Sequence, residues 1–537
     1  MTSQIRRGAD LGILCLVRQL IMAMLLIFGL AYSSFAQDWN QWRGPSRDAQ
    51  VPRSSTPTSW PESLERGWRV ELGEGYSSPV VSGGRVFVHS RRDPEELVTA
   101  INLANGEIVW QQKYPAPFKK NEYAVKMAKG PNATPLVVDN RLFTLGVTGV
   151  LNVWDTATGK QLWSKDFSKT VDTSKLFCGT AASPLVSDGQ IVIQIGSDIH
   201  GGRIIALDPN SGTVTWEWNG PGPGYASPIR IDAGGTPQIV TLTNSSIVGL
   251  DPKTGRELWT VPFPDEWHEN IVTPVWTGTH LIVSGTRQGT HAYTLKLTNE
   301  KWEAREVWKN ADVAMYMSSP VHGDGLIYGH SAKRKGQFVA VDAKTGALKW
   351  ATEGREGDHA SVLLTPDHII FLTNGADMIV ARRGNQSFTI EKRYDVADAE
   401  TWAIPVLLGR ELLIRDATGL MRLSVGSGSS KETKSGGGIT GELGARTNPV
   451  RCSGPSGERA YLNRLRCPDK AAPQFYRIGS VGVGPYGNIL DAYNVKCEGK
   501  EPVIVFMDMY HEHVEDAPVS GFSIITEAPT KVATHLK

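Results

Sequence analysis

The sequence predicts an all-β chain: an eight-bladed β-propeller of four-stranded antiparallel blades, closed by an N-terminal strand and carrying a small C-terminal appendage. Three observations predict it. An Asp-x-x-x-Gly-x-x-x-Trp motif recurs at Asp155/Gly159/Trp163, Asp208/Gly212/Trp216, Asp251/Gly255/Trp259 and Asp342/Gly346/Trp350, with Asn102/Gly106/Trp110 as a first copy. A small-residue and proline signature opens a segment eight times between Ser77 and Pro405. Short runs with period-2 alternation follow the openings, as at residues 84–89 and 190–195. Self-similarity at about 40 to 50 residues marks a propeller or array, whose units cannot bury their apolar faces alone.

From the N-terminus, residues 1–36 read as a cleaved leader. Arg6, Arg7 and Arg18 precede an apolar run over residues 20–32, and Ser34-Phe35-Ala36 supplies small residues for cleavage before Gln37. The chain is therefore expected to be exported to the periplasm or cell envelope. Residues 37–59 form a lead segment, and residues 60–426 hold the repeats.

The repeats open at Ser77-Ser78-Pro79, Ala133-Thr134-Pro135, Ala182-Ser183-Pro184, Ala226-Ser227-Pro228, Val272-Thr273-Pro274 and Ser318-Ser319-Pro320. A seventh, Ala360-Ser361-Val362, is degenerate, with Phe388 and Ile390 where the turn and Trp would fall. The eighth, Ala403-Ile404-Pro405, fades after residue 425 without a fourth strand. Residues 67–72, ahead of the first opening, resemble that missing strand, and their insertion would remove the exposed sheet edge. Within a repeat, Asp or Asn accepts local amide hydrogen bonds and Gly takes positive φ, closing a hairpin turn. The Trp then lies on the outermost strand. Trp110, Trp163, Trp216, Trp259, Trp308 and Trp350 are expected to pack between neighbouring blades.

Gly and Ser dominate residues 427–444, a flexible linker. Residues 445–537 lack the repeat and carry Cys452, Cys467 and Cys497, which predicts a β-rich or α+β unit braced by one bridge. Cys452–Cys467 and Cys467–Cys497 are both open. A net charge of +1 gives no footprint for nucleic acid or an acidic membrane surface.

The Ala-x-Asp-x-x-Thr-Gly-x-x-x-Trp pattern, fullest at Ala340, Asp342, Thr345, Gly346 and Trp350, resembles the bacterial PQQ-like propeller repeats. So does the opening Asp38-Trp39-Asn40-Gln41-Trp42-Arg43-Gly44-Pro45. The resemblance covers residues 60–426 and implies one of two classes. One is the quinoprotein alcohol dehydrogenases, which hold pyrroloquinoline quinone (PQQ) over the ring axis, coordinate Ca²⁺ with carboxylate and amide oxygens, and use an Asp base. The other is non-catalytic, as in the propeller subunit of the machinery that assembles outer-membrane β-barrels. The vicinal disulfide of the enzymes has no counterpart, since no two cysteines are adjacent.

A ligand site in such a ring lies where the loops entering the inner strands converge. By position its candidates are Tyr76, Asn132, Tyr225, His268, Glu269, Asn270, Tyr316, His359 and Trp402. Glu269 with Asn270 offers the carboxylate and amide oxygens that suit Ca²⁺. His511 and His513, if on one strand, would share a face and offer a second metal site. No nucleophile elbow or phosphate loop is present.

The reading is a cofactor-free, monomeric propeller that acts as a protein-interaction scaffold in the envelope, meeting the membrane only through a partner protein. The alternative is a PQQ- and Ca²⁺-dependent alcohol or sugar dehydrogenase.

Overall fold

A computed structural model describes residues 38–57, 59–121, 124, 128–170, 176–197, 199–426, 442–452, 454–484, 489–509, 511 and 515–525. The expected leader and cleavage site before Gln37, most of the expected linker, and His513 lie outside the described residues. The chain divides into two units, at residues 1–428 and 429–537.

Eight four-stranded antiparallel sheets make up the first unit. Val80–Ser82, Arg85–Arg92, Glu95–Asn102 and Ile108–Pro115 form the first blade in chain order, and six more follow the same order up to Ile390–Asp395. The eighth is composite. Val406–Leu408, Glu411–Arg415 and Gly419–Ser424 supply three strands, and the N-terminal Glu65–Glu71 pairs with the last of them, Glu71 opposite Gly419. The strand ahead of the first repeat and the last repeat thus share one sheet, which closes the ring.

The recurrent turn has one geometry. Asp155 Oδ1 accepts the Thr158 amide at 2.8 Å, and the Asp251 and Asp342 carboxylates bind the amides two and three residues on. Gly106, Gly159, Gly212, Gly255 and Gly346 adopt φ between 69° and 79°, a region that other residues enter only with strain. Each of these glycines receives the indole of the preceding blade. Trp110 donates Nε1–H to Thr156 O at 3.0 Å, Trp216 to Pro252 O at 3.0 Å, and Trp308 to Ala343 O at 3.1 Å. Trp68, on the closing strand, binds Leu103 O at 2.9 Å and completes the circle. Trp259 differs: the fifth blade has no Asp-Gly turn to meet it, and its indole binds Gln238 of its own blade at 2.7 Å.

A second ring runs inside the first. The Ile404 amide donates to Ser78 Oγ, Ser78 to Thr134 Oγ1, Thr134 to Ser183 Oγ, and Ser183 to Ser227 Oγ, all at 2.9–3.0 Å; Thr273 donates to Ser319 Oγ at 3.1 Å. At Ser78, Thr134, Ser183, Ser227 and Ser319 the middle residue of the opening is therefore Ser or Thr for a physical reason. Its hydroxyl satisfies a buried amide of the neighbouring blade, which would otherwise cost about 1–3 kcal/mol.

The lead segment crosses this inner ring. Trp39 bridges Val81, Val137 N donates to Asn40 O, and Val51 N donates to Leu364 O while Leu364 N donates to Ala49 O. Arg47, buried, donates to Ser183 O at 3.2 Å and Pro184 O at 2.7 Å, while Arg43 reaches Pro320 O. Burial pulls the Arg47 guanidinium down to about 9, with Arg43 adding to the effect; both stay charged at neutral pH and hold blades on different sides of the ring.

The second unit is α+β. Val450–Arg451, Val503–Asp508, Ile489–Lys496 and Gln474–Val483 form one sheet, with the Gly454–Arg464 helix and a small Leu465–Arg466/Ser523–Ile524 ladder. Cys467 bridges Cys497, while Cys452 is a buried thiol that burial pushes up to about 12.

Candidate functional site

All eight blades contribute to one cavity of about 170 Å³, which places it on the ring axis. The loops entering the inner strands bring Tyr76, Asn132, Tyr225, Glu269, Tyr316, His359 and Trp402 to its wall, joined by Phe177, Cys178 and the hydroxyl ring. Trp42 of the lead segment also lines it and is anchored by its Nε1–H to Thr273 Oγ1 at 3.1 Å.

Much of the polar wall holds loops in place. The Tyr76 hydroxyl accepts the Ala128 amide and the Tyr225 hydroxyl the Phe177 amide, both at 2.9 Å. Asn132 donates to Cys178 O at 3.1 Å. Trp402 stacks on His359 and packs at a tilt of 33° against Tyr76, ring centroids 5.2 Å apart in each case. His359 is buried, bonds Ser318 Oγ at 3.1 Å, and is pushed down to about 3 by burial with His330 nearby, so it is neutral at physiological pH.

Among the described residues, Glu269 is the one carboxylate on the wall. The Tyr316 hydroxyl donates to its Oε2 at 2.6 Å, and its backbone amide caps Asp265 Oδ1 at 3.0 Å. Burial raises the Glu269 pKa against the lowering effect of Tyr316 and holds the Tyr316 phenol well above its usual value.

The expected Glu269–Asn270 pair does not form. Asn270 is fully buried, and its amide donates to Thr243 O at 2.9 Å and Phe263 O at 2.8 Å, closing the loop from behind. Adjacent residues point to different environments here, because His268 takes positive φ and turns the chain. His268 itself does not reach the cavity wall. The second expectation also changes: the Val503–Asp508 strand ends before His511, which contacts Asp508 at 3.3 Å beyond the strand end, and His513 is outside the described residues.

Ca²⁺ takes six to eight oxygen ligands. One carboxylate already bonded to a tyrosine, with its neighbouring amide turned away, does not make that set. The residues present do not fit the Ca²⁺ and quinone site of the enzyme class. Among the described residues, no group of three or more His, Cys, Asp or Glu is placed to hold a metal.

On the rim, two residues before Glu269, Trp267 is 65% exposed. The Arg287 guanidinium lies 5.4 Å from its ring centroid and pairs with Glu266 at 2.5 Å.

The family model described as outer membrane protein assembly factor BamB matches residues 61–120 and 94–352, more than half of the chain. The chain belongs to the PQQ-like propeller family. Within that family it is 26% identical over 226 residues to the outer membrane protein assembly factor BamB of Moranella endobia (strain PCIT), covering 41% of this chain and 50% of that one. It is 22% identical over 315 residues to the quinohemoprotein alcohol dehydrogenase ADH-IIG of Pseudomonas putida, covering 52% of this chain and 38% of that one. The chain thus spans half the length of the first relative and little more than a third of the second. Among solved structures, a europium-containing methanol dehydrogenase superposes with a TM-score of 0.55 at 13% identity, over 71% of this chain and 90% of that one, a likeness of fold alone. Membership in the PQQ-like family fixes architecture, and chemistry has to be read from the site.

Sequence reasoning missed Trp42, Phe177 and Cys178. The first reads as part of a polar lead, and the other two precede their opening by several residues. The Ser/Thr at the middle of the openings was the signal available for the inner ring.

Proposed function

We infer that this chain is an exported, non-catalytic PQQ-like propeller that presents its mouth face to a protein partner in the cell envelope, in the setting of outer-membrane protein assembly. One observation carries the reading: the polar groups converging on the axis are engaged in holding loops, and no general base stands beside a cation site. Tyr76, Tyr225 and Asn132 each tie backbone, and Glu269 is held by Tyr316. An enzyme needs a base poised over the substrate and a pre-organised charge where the transition state develops charge.

The rim supports the partner reading. Trp and Arg dominate the energetics of protein interfaces, and an exposed Trp267 braced by Arg287 is pre-ordered for such a contact. The assembly-factor relatives point the same way.

The test is reconstitution of the purified chain with PQQ and Ca²⁺, followed by dye reduction over a panel of alcohols and sugars. The expected result is no turnover above that of Glu269→Gln. Saturable turnover lost in Glu269→Gln would overturn the reading in favour of a dehydrogenase.

A further inference from the structure

The cavity wall has a chemistry that the scaffold reading does not use. Tyr76, Phe177, Tyr225, Tyr316 and Trp402 surround it with rings, and Glu269 is the acid among its described residues. Among the described residues, no Lys or Arg lines it. His359, the other ionisable nitrogen base on the wall, is neutral at physiological pH and covered by Trp402.

Acceptors therefore prevail. Glu269 has one oxygen bonded by Tyr316, and no described residue bonds the other. The Oδ1 of Asn132 is buried and accepts no hydrogen bond from a described residue. Arg43 and Arg47 of the lead segment do not reach the wall; their guanidiniums are directed to the carbonyls of Pro320, Ser183 and Pro184.

We propose that the axial cavity binds a small organic cation of the alkylammonium class, held between its aromatic walls and the Glu269 carboxylate. Aromatic faces attract a cation through their quadrupole, and the attraction grows when the site is dry. The positive charge that Glu269 feels is Arg287, which is paired with Glu266; a half-buried carboxylate placed so gains from a cation set directly beside it. The space suits such a head group: about 170 Å³, against the roughly 150 Å³ void that takes up one benzene ring.

The class is set by charge, so the decisive comparison holds shape constant. Choline and its uncharged isostere 3,3-dimethyl-1-butanol are titrated into the purified chain by calorimetry, with tryptophan fluorescence as a second readout. The expected result is saturable choline binding with the isostere at least about tenfold weaker, the scale of one desolvated cation–π contact with its counter-charge. Glu269→Gln weakens choline by a similar factor without lowering the melting temperature, and Tyr225→Phe, which keeps the ring, retains it. Equal binding of the two probes, or saturable binding of neither, overturns the proposal. Either failure leaves the partner reading standing, because that reading does not require the cavity to hold a ligand.

Discussion

The Trp110 indole lies so close to Gly159 of the next blade that a β-carbon on the glycine would sit 2.6 Å from its ring. The same contact recurs at Trp68 on Gly106, Trp163 on Gly212, Trp216 on Gly255 and Trp308 on Gly346. Turn and tryptophan are two halves of one joint, made by neighbouring blades. That explains why both residues recur together although they do not touch within a repeat.

Gly159→Ala is expected to cost about 2–4 kcal/mol, combining positive-φ strain with overpacking against the ring. Gly189→Ala provides the control. Gly189 has φ of 76° with nothing within 4 Å of a β-carbon, so strain alone, about 1 kcal/mol, applies. Thermal and urea unfolding of the two variants check the difference.

Thr134→Val tests the inner ring. The two side chains have the same shape, yet valine leaves the Ser78 amide unpaired in the interior. A loss of about 1–3 kcal/mol is expected, seen as a lower unfolding midpoint. Unchanged stability would mean that the hydroxyl ring is incidental to closure.

Glu269→Gln is expected to stabilise the protein at neutral pH. Burial raises the Glu269 pKa in the fold, so folding favours its protonated form, and the carboxylate formed at neutral pH weakens the fold. Below about pH 4, near the unfolded value, both side chains are neutral and the advantage disappears. Melting temperatures at pH 7 and pH 4 give the sign directly. A stabilising substitution at this position is what a site kept for a purpose other than stability would show.

The ring was legible in the sequence because its joints use residues with one dominant role: Gly where φ is positive, Asp where amides need a cap, Trp where blades meet. The composite eighth blade was legible from the mismatch between a missing last strand and a spare first one. The wall of the cavity was legible by position, since any residue just before an inner strand faces the axis. Asn270 was not. A buried amide closing a loop and a metal-binding amide are the same residue in the same register, and only the turn at His268 separates them. The lead segment was opaque for a related reason: the burial of Arg43 and Arg47 depends on carbonyls from blades far along the chain.

The mouth face as a protein-binding surface is the central claim, and photo-crosslinking in intact envelopes tests it most directly. A photoreactive phenylalanine derivative is placed at Trp267, and the same probe at Leu162, an exposed apolar residue on an outermost strand, serves as the reference. The account predicts one discrete crosslinked envelope protein from position 267 and none from position 162. No adduct at 267, or the same adducts from both positions, would contradict it.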